Sequence, residues 1–314
     1  MPETTTAARL RAPVLPAPRL RAIGWLVSGA ALAGVVIWAL GEPAPRAPAI
    51  PGLIPVAISL YAVATFVRGE RWRLLLRFNG ASASRVDCQA LTCVGYMGNN
   101  VLPARAGDAV RVVYMTPRAG VSTRTVIGTL VAERVLDVAV LFSLYAVLAV
   151  VLGAGTLSTG RFVFAAGAIA ALVIVAAVGA LVAHRSGHLV RAWAFVRPML
   201  SATANLRGRH GAQVLGVTLV IWAVEAGVWL CCADAAGLHV SALEALYLLA
   251  LASLFVFIPA GPGNVGTLDA AVVFGARAIG RTSGAALSFL ILLRLVLVVP
   301  ITLVGLVLLV VRYR

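Results

Sequence analysis

The chain contains no lysine. All 26 basic residues are arginine, set against 11 acidic ones, and charged residues of every kind make up only 12% of the 314. With 61% hydrophobic residues and a mean hydropathy of +0.99, this excludes an ordinary soluble domain, in which about 25% of residues are charged. Alternating strand patterns are also missing, so a membrane β-barrel is disfavoured. Several apolar runs approach or exceed the roughly 20 residues that a helix needs to cross a hydrocarbon core. The expected fold is an all-α polytopic membrane protein.

Other scarcities narrow the chemistry. Four cysteines (Cys88, Cys93, Cys231, Cys232) sit in apolar segments without CxxC spacing and read as packing residues. His184 and His188 are four apart in an arginine-rich loop but lack further ligands, so no metal is expected. No histidine falls within an expected span and no serine occupies a nucleophile elbow, so no catalytic residue, enzyme activity or cofactor is predicted. No basic stretch is interleaved with exposed aromatics, and a soluble binding module has no room. Nucleic acid is therefore not a partner.

What the chain does have is a net charge of +15. Guanidinium forks suit phosphate, but a surplus of arginine in cytoplasmic loops accounts for most of them. On that rule residues 1–21 are a disordered cytoplasmic tail and 22–314 form one membrane domain. Six full spans are expected, near 22–40, 52–67, 125–152, 161–183, 213–236 and 284–311, with both termini in the cytoplasm of an inner membrane. The 15 residues from Val86 to Asn100 would reach only about 22 Å as a helix. Four arginines follow them (Arg105, Arg111, Arg118, Arg124), which should not lie outside. A re-entrant hairpin from the cytoplasm satisfies both constraints. Residues 242–278 read as a second hairpin, entering from outside.

The two hairpins share a grammar at their breaks. Leu102-Pro103-Ala104-Arg105-Ala106-Gly107-Asp108 and Ile258-Pro259-Ala260-Gly261-Pro262-Gly263-Asn264 each run aliphatic, Pro-Ala, two residues, Gly, then Asp or Asn. Pro103 and Pro259 remove backbone donors, while Gly107, Gly261 and Gly263 admit unusual dihedrals. Oppositely oriented hairpins in halves 52–152 and 213–311 make an inverted repeat with tips meeting at a midplane cavity.

Ionisable residues at membrane depth are costly and point to a pathway, a relay or a substrate partner. Glu133 and Asp137 share a helix face with Arg134 beside it, and read either as coupling groups or as a structural ion pair, for example with Arg294. Glu225 reads as a proton group or as the partner of an arginine from the first hairpin. Arg105, Asp108 and Arg111 at the first break suit a phosphate, with N-capping by Asp108 as the alternative. Asn264 takes the capping position at the second break, where Asp269 adds an acid. Arg71-Trp72-Arg73 reads as a cytoplasmic headgroup contact or a topology anchor.

These blocks, taken together, resemble the lysylphosphatidylglycerol synthase transmembrane-region family, the flippase-like domain proteins. The carriers are Arg71-Trp72-Arg73, the run from Asn100 to Arg111, Glu133-Arg134 with Asp137, and Pro259 to Gly266. The resemblance implies a protein that flips a phosphate-bearing or polyprenyl-linked lipid between leaflets. Asn99, Asn100, Arg105 and Arg111 would lie near the headgroup, while Glu133 and Asp137 exchange protons or balance charge. An envelope-biosynthesis enzyme is the partner it suggests. A lipid-modifying enzyme and an accessory scaffold for a glycosyltransferase are the alternatives. No aminoacyl-transfer domain follows in the sequence, so lysyl transfer is not expected.

Overall fold

A computed structural model describes residues 29–41 except 31 and 38, then 47–102, 105–152, 208–258, 260–281 and 284–313. The expected tail at 1–21, the span at 161–183 with its flanking loops, and the break prolines Pro103 and Pro259 lie outside the described residues. Of the first expected span, residues 29–30, 32–37 and 39–40 are helical. The regular structure among the described residues is all helical, with no strand. The helices are α1 (Leu53–Phe78), α2 (Arg85–Val101), α3 (Ala106–Ala119), α4 (Thr123–Val151), α5 (Arg209–Ala235), α6 (Ala242–Phe255), α7 (Thr267–Ala278) and α8 (Gly284–Arg312).

Helices α1, α4, α5 and α8 are each long and apolar enough to cross a membrane. Leucine, valine, isoleucine and phenylalanine side chains project outward from all four, as they should where the solvent is lipid. Because lipid is as apolar as leucine, such helices associate through close packing rather than burial of apolar surface. Glycines supply the approach: Gly305 of α8 lies against the backbone of Cys93, and Gly227 of α5 against Leu60 of α1.

The four short helices form two hairpins. In the first, α2 descends from its Ser84 cap and breaks at Leu102, which is extended. The chain restarts from Arg105 in the left-handed region, and α3 returns so that the Ala119 carbonyl accepts from Ser82 N–H at 3.0 Å. The crossing point is tight: a Cβ on Gly107 would collide with the Gly95 carbonyl and the Asn99 backbone nitrogen. In the second, α6 starts with a Ser241/Glu244 capping box. The chain turns through a 3-10 segment at Pro262–Asn264, and α7 returns until Arg281 reaches Glu244 at 3.4 Å.

The hairpin bases lie at opposite ends of the bundle. At one end the first hairpin meets the C-terminus of α8, where Asp87 accepts from Arg312 at 3.0 Å and from the Tyr313 hydroxyl at 3.1 Å. His210, starting α5, stacks on Phe78, ending α1, at this same end. Burial pushes the Asp87 carboxyl upward, but hydrogen bonds from Ser84, Arg312 and Tyr313 outweigh it and hold it below the usual range. At the other end Ala49 N–H donates to the Ala235 carbonyl, joining the segment before α1 to the end of α5. The tips meet between the ends: Arg105 reaches the Val256 carbonyl at 3.4 Å and stacks over Phe257.

Three expectations are corrected. The second span does not stop at 67: α1 runs unbroken to Phe78, so Arg68, Arg71 and Trp72 are buried helix positions rather than a cytoplasmic loop. Asp108 does not cap α3, because Arg105 holds that place and Asp108 lies in the first turn. Asn264 does not cap α7 either. Gly266 does, and its N–H donates to Asp269 at 2.7 Å.

The crossing at Gly107 generates a prediction. Gly107→Ala should destabilise by roughly 1–3 kcal/mol, the usual cost of overpacking. Gly216→Ala, where a Cβ meets nothing within 4 Å, should leave the thermal unfolding midpoint in detergent unchanged.

Candidate functional site

Among the described residues the middle of the bundle holds six arginines and five carboxylates, contributed by every numbered helix except α2 and α6. The shortest contacts match five of the arginines to the five carboxylates, with longer cross-contacts from Arg71 to Glu133 at 3.6 Å, Arg111 to Asp108 at 3.7 Å and Arg134 to Asp137 at 3.8 Å. Arg68 of α1 binds Glu225 of α5. Arg71 of α1 grips Asp137 of α4 with both terminal nitrogens, at 2.6 and 3.0 Å. Arg111 of α3 binds Glu133 of α4 at 3.1 Å, and Arg134 of α4 binds Asp108 of α3 at 3.2 Å. Arg294 of α8 binds Asp269 of α7 at 2.6 Å.

Arg105 is left over. Among the described residues no carboxylate lies within 4.0 Å of it, and its Nε is buried with no hydrogen-bond partner. Its backbone is held at φ 56°. Positive φ at a non-glycine residue is costly and persists only where surrounding structure imposes it. Asn264 at the opposite tip (φ 50°) is the other such residue among those described.

These two residues face one cavity of ≈ 140 Å³, which opens between the hairpin tips. Arg68, Arg134, Arg294, Asp137 and Glu225 also line it, together with Asn99, Asn100, Gly263, Tyr61, Tyr96, Trp222, Trp229 and Phe257. The supporting contacts are specific. Arg294 donates to the Gly263 and Asn264 carbonyls at 2.5 and 3.1 Å, clamping the second tip. Asn100 donates to Thr302 of α8 at 3.0 Å. Arg71 also reaches Thr218 at 3.1 Å, and Trp72 donates to Thr129 at 3.1 Å, which ties α1 to α5 and α4.

The residues expected from sequence divide accordingly. Asn99, Asn100, Arg105, Arg134, Asp137, Glu225, Gly263, Asn264 and Arg294 come together at the cavity. Arg71, Asp108, Arg111, Glu133 and Asp269 stand behind it as ion-pair partners. Arg111 is 4% exposed, sandwiched between Glu133 and the Trp72 ring at 4.0 Å, and does not reach the cavity. Arg73 lies apart, bound to Glu70 at 3.0 Å. Glu225 pairs with Arg68 of α1, not with an arginine of the first hairpin. Arg294 pairs with Asp269, not with Glu133 or Asp137.

Arg68, Trp222 and Trp229 escaped the sequence reading. The positive-inside rule places Arg68, just past the expected span end at 67, in a loop, yet it is three residues before Arg71, so a continued helix puts both on one face. Trp222 and Trp229 flank Glu225 at three and four residues, the spacing of one α5 face. That spacing was the signal. No group of three or more histidine, cysteine or acidic residues suited to a metal ion occurs among the described residues.

The model of the family described as lysylphosphatidylglycerol synthase TM region matches residues 22–305. The chain belongs to that family. Among curated proteins it is similar to a protein named glycosyltransferase AglD from Haloferax volcanii, 34% identical over 104 residues. That stretch covers 33% of this chain and 17% of the relative, so the chain spans about a sixth of the relative's length. No solved structure matches.

The pairing generates a second prediction. Breaking one partner of a buried pair costs roughly 3–5 kcal/mol, because the other charge stays buried, whereas replacing both by apolar groups is often neutral. Glu225→Leu should therefore sharply reduce the yield of folded protein on size exclusion. Arg68→Met with Glu225→Leu should restore most of it.

Proposed function

We propose that this membrane protein moves a phosphate-bearing lipid between leaflets, its headgroup passing through the cavity between the hairpin tips. One observation carries the reading: five arginines are matched by five carboxylates, and Arg105 presents an uncompensated positive charge to that cavity. Charge at membrane depth is costly, so an unmatched guanidinium is stabilised by an anion. A phosphate diester meets that need with charge-assisted hydrogen bonds. The family match and the partial similarity to a glycosyltransferase both support a role in lipid metabolism.

The hairpins are read as re-entrant, the first from the cytoplasm of an inner membrane and the second from outside, with both termini cytoplasmic. Their opposed bases and touching tips support an inverted repeat. Alternation would open the cavity first to one face and then to the other. Glu133 and Asp137 act in this reading as fixed counter-charges: Asp137 is gripped by Arg71 and Glu133 by Arg111, so neither is free to exchange protons. The same pairing favours transport over catalysis, because among the described residues no interior carboxylate is left free as a general base.

Two experiments test this. In vesicles carrying labelled anionic phospholipid, Arg105→Gln should slow leaflet exchange about tenfold or more while keeping the yield of folded protein on size exclusion close to the parent's, since none of the five ion pairs is broken. Undiminished exchange removes Arg105 from the pathway. Single cysteines at Thr116 and Gly280, near the two hairpin bases, should react with impermeant reagents from opposite sides; labelling from the same side rejects the opposed insertion.

A further inference from the structure

Six of the interior charges close into a ring. Going round it, Arg71 meets Asp137 at 2.6 Å, Asp137 meets Arg134 at 3.8 Å, and Arg134 meets Asp108 at 3.2 Å. Asp108 then meets Arg111 at 3.7 Å, Arg111 meets Glu133 at 3.1 Å, and Glu133 returns to Arg71 at 3.6 Å. Sign alternates at every step, and so does length: three short edges are separated by three long ones. Each arginine turns different nitrogens to its two neighbours. Arg71 offers Nη1 and Nη2 to Asp137 and Nε to Glu133, Arg134 offers Nη2 to Asp108 and Nη1 to Asp137, and Arg111 offers Nη2 to Glu133 and Nη1 to Asp108. A small shift of side chains therefore exchanges the short set for the long set.

The two sets tie different helices together. In the observed set, Arg134 with Asp108 and Arg111 with Glu133 both bind α3 to α4. In the other set Arg134 pairs with Asp137 inside α4 and Asp108 with Arg111 inside α3, both three residues apart on one helix face. Arg71 with Glu133 keeps α1 on α4. All six charges are paired in either set. Breaking a buried pair outright is strongly destabilising because it leaves a lone charge; a closed ring avoids that and leaves the seam between α3 and α4 free to part. One atom lacks a bond in the observed set. Arg71 Nε is buried with no hydrogen-bond partner, and the carboxylate 3.6 Å from it is Glu133, its partner in the other set.

The seam is held differently at its two ends. At the hairpin base α3 and α4 are joined by the turn from Gly120, at φ 65°, to the Ser122 cap, and Met115 and Ala119 share one apolar cluster with Val126 and Leu130. The ring sits about 15 Å further along α3, close to Arg105, which starts that helix. Arg71, Arg111, Glu133 and Asp137 are buried, whereas the Asp108 and Arg134 side chains are 26% and 25% exposed. Arg134 also lines the cavity, so the outermost edge of the ring is the one that closes the seam beside it.

We propose that the ring is a charge-conserving switch: exchange of its short edges for its long ones parts α3 from α4 near the hairpin tip and opens the cavity sideways along that seam. Glu133 and Asp137 change arginine partners without losing their charge. The inference rests on the reading of the cavity as the headgroup path, and it supplies the lateral opening needed by a lipid whose tails stay in the bilayer.

The test works through sign. Asp108→Arg with Arg134→Asp keeps every short edge opposite in charge but makes positions 134 and 137, and positions 108 and 111, like-charged, so only the observed set remains. Asp108→Asn with Arg134→Gln leaves Arg111 no acid in the ring but Glu133, which holds the seam shut without introducing like charges; it carries the test if the swap lowers the yield of folded protein. Spin labels on genetically encoded amino acids at half-buried Ala109 of α3 and exposed Val147 of α4 report the separation in vesicles by pulsed electron resonance. Leaflet exchange of labelled anionic phospholipid is measured alongside. The parent should show two distances several ångström apart. Both variants should keep only the shorter, and their exchange should slow about tenfold or more. An ordinary clamp gives the opposite: the swap keeps the parent's rate, and the neutral pair, with one of two ties lost, favours the longer distance. Either result overturns the inference, as does a single distance in the parent. Variants fixed at the shorter distance that still exchange lipid at the parent's rate overturn the seam as the opening. Two distances in the parent, reduced to one in both variants, with no lipid crossing in any of the three, support the switch but reject lipid transport.

Discussion

A guanidinium buried among helices that face lipid must find a carboxylate or an anion, and this constraint organises the whole bundle. Five ion pairs cross between helices rather than within them, so each one fixes a spacing that apolar contact alone would leave loose. α1 is placed against α5 by Arg68 and Glu225 and against α4 by Arg71 and Asp137. α3 and α4 are joined by two crossed pairs, Arg111 to Glu133 and Arg134 to Asp108. Because lipid supplies no hydrophobic force to gather helices, these pairs and the glycine contacts carry much of the specificity. A bundle made only of leucine faces would have many near-equivalent packings.

The site follows from the same constraint. Each hairpin tip exposes backbone groups that have lost their helical partners, and each is held by an arginine or an acid from a neighbouring helix. At the second tip Arg294 takes up the Gly263 and Asn264 carbonyls as well as Asp269. At the first tip Asp108 takes Arg134, and Arg105 is directed across the gap towards Val256. The two tips are therefore electrically unlike: one satisfies its carbonyls internally, and the other presents a charge.

Much of this was legible in the sequence, and the rest was hidden for identifiable reasons. Apolar run length gave the long helices, and the shortness of 86–100 gave the first hairpin. The repeated Pro-Ala-x-x-Gly grammar located both breaks, but it misaligned them. By sequence Asp108 corresponds to Asn264; in three dimensions the first-turn acid matching Asp108 is Asp269. The second break uses five further residues before its helix begins, and letter patterns do not record where a chain leaves the left-handed region. Arg68 and Arg71 were misplaced because arginine is the usual mark of a loop end. What identifies them as interior is a set of acids 66 to 157 residues away, and sequence proximity carries no trace of that.

Helix α8 touches both hairpins along its length. Near one end Arg294 clamps the second tip. Further along, Thr302 and Gly305 bear on α2, and at its far end Arg312 meets Asp87 at the base of the first hairpin. It acts as a shared connecting rod: a displacement of one hairpin loads the same helix that positions the other, so the two hairpins are mechanically dependent rather than independent.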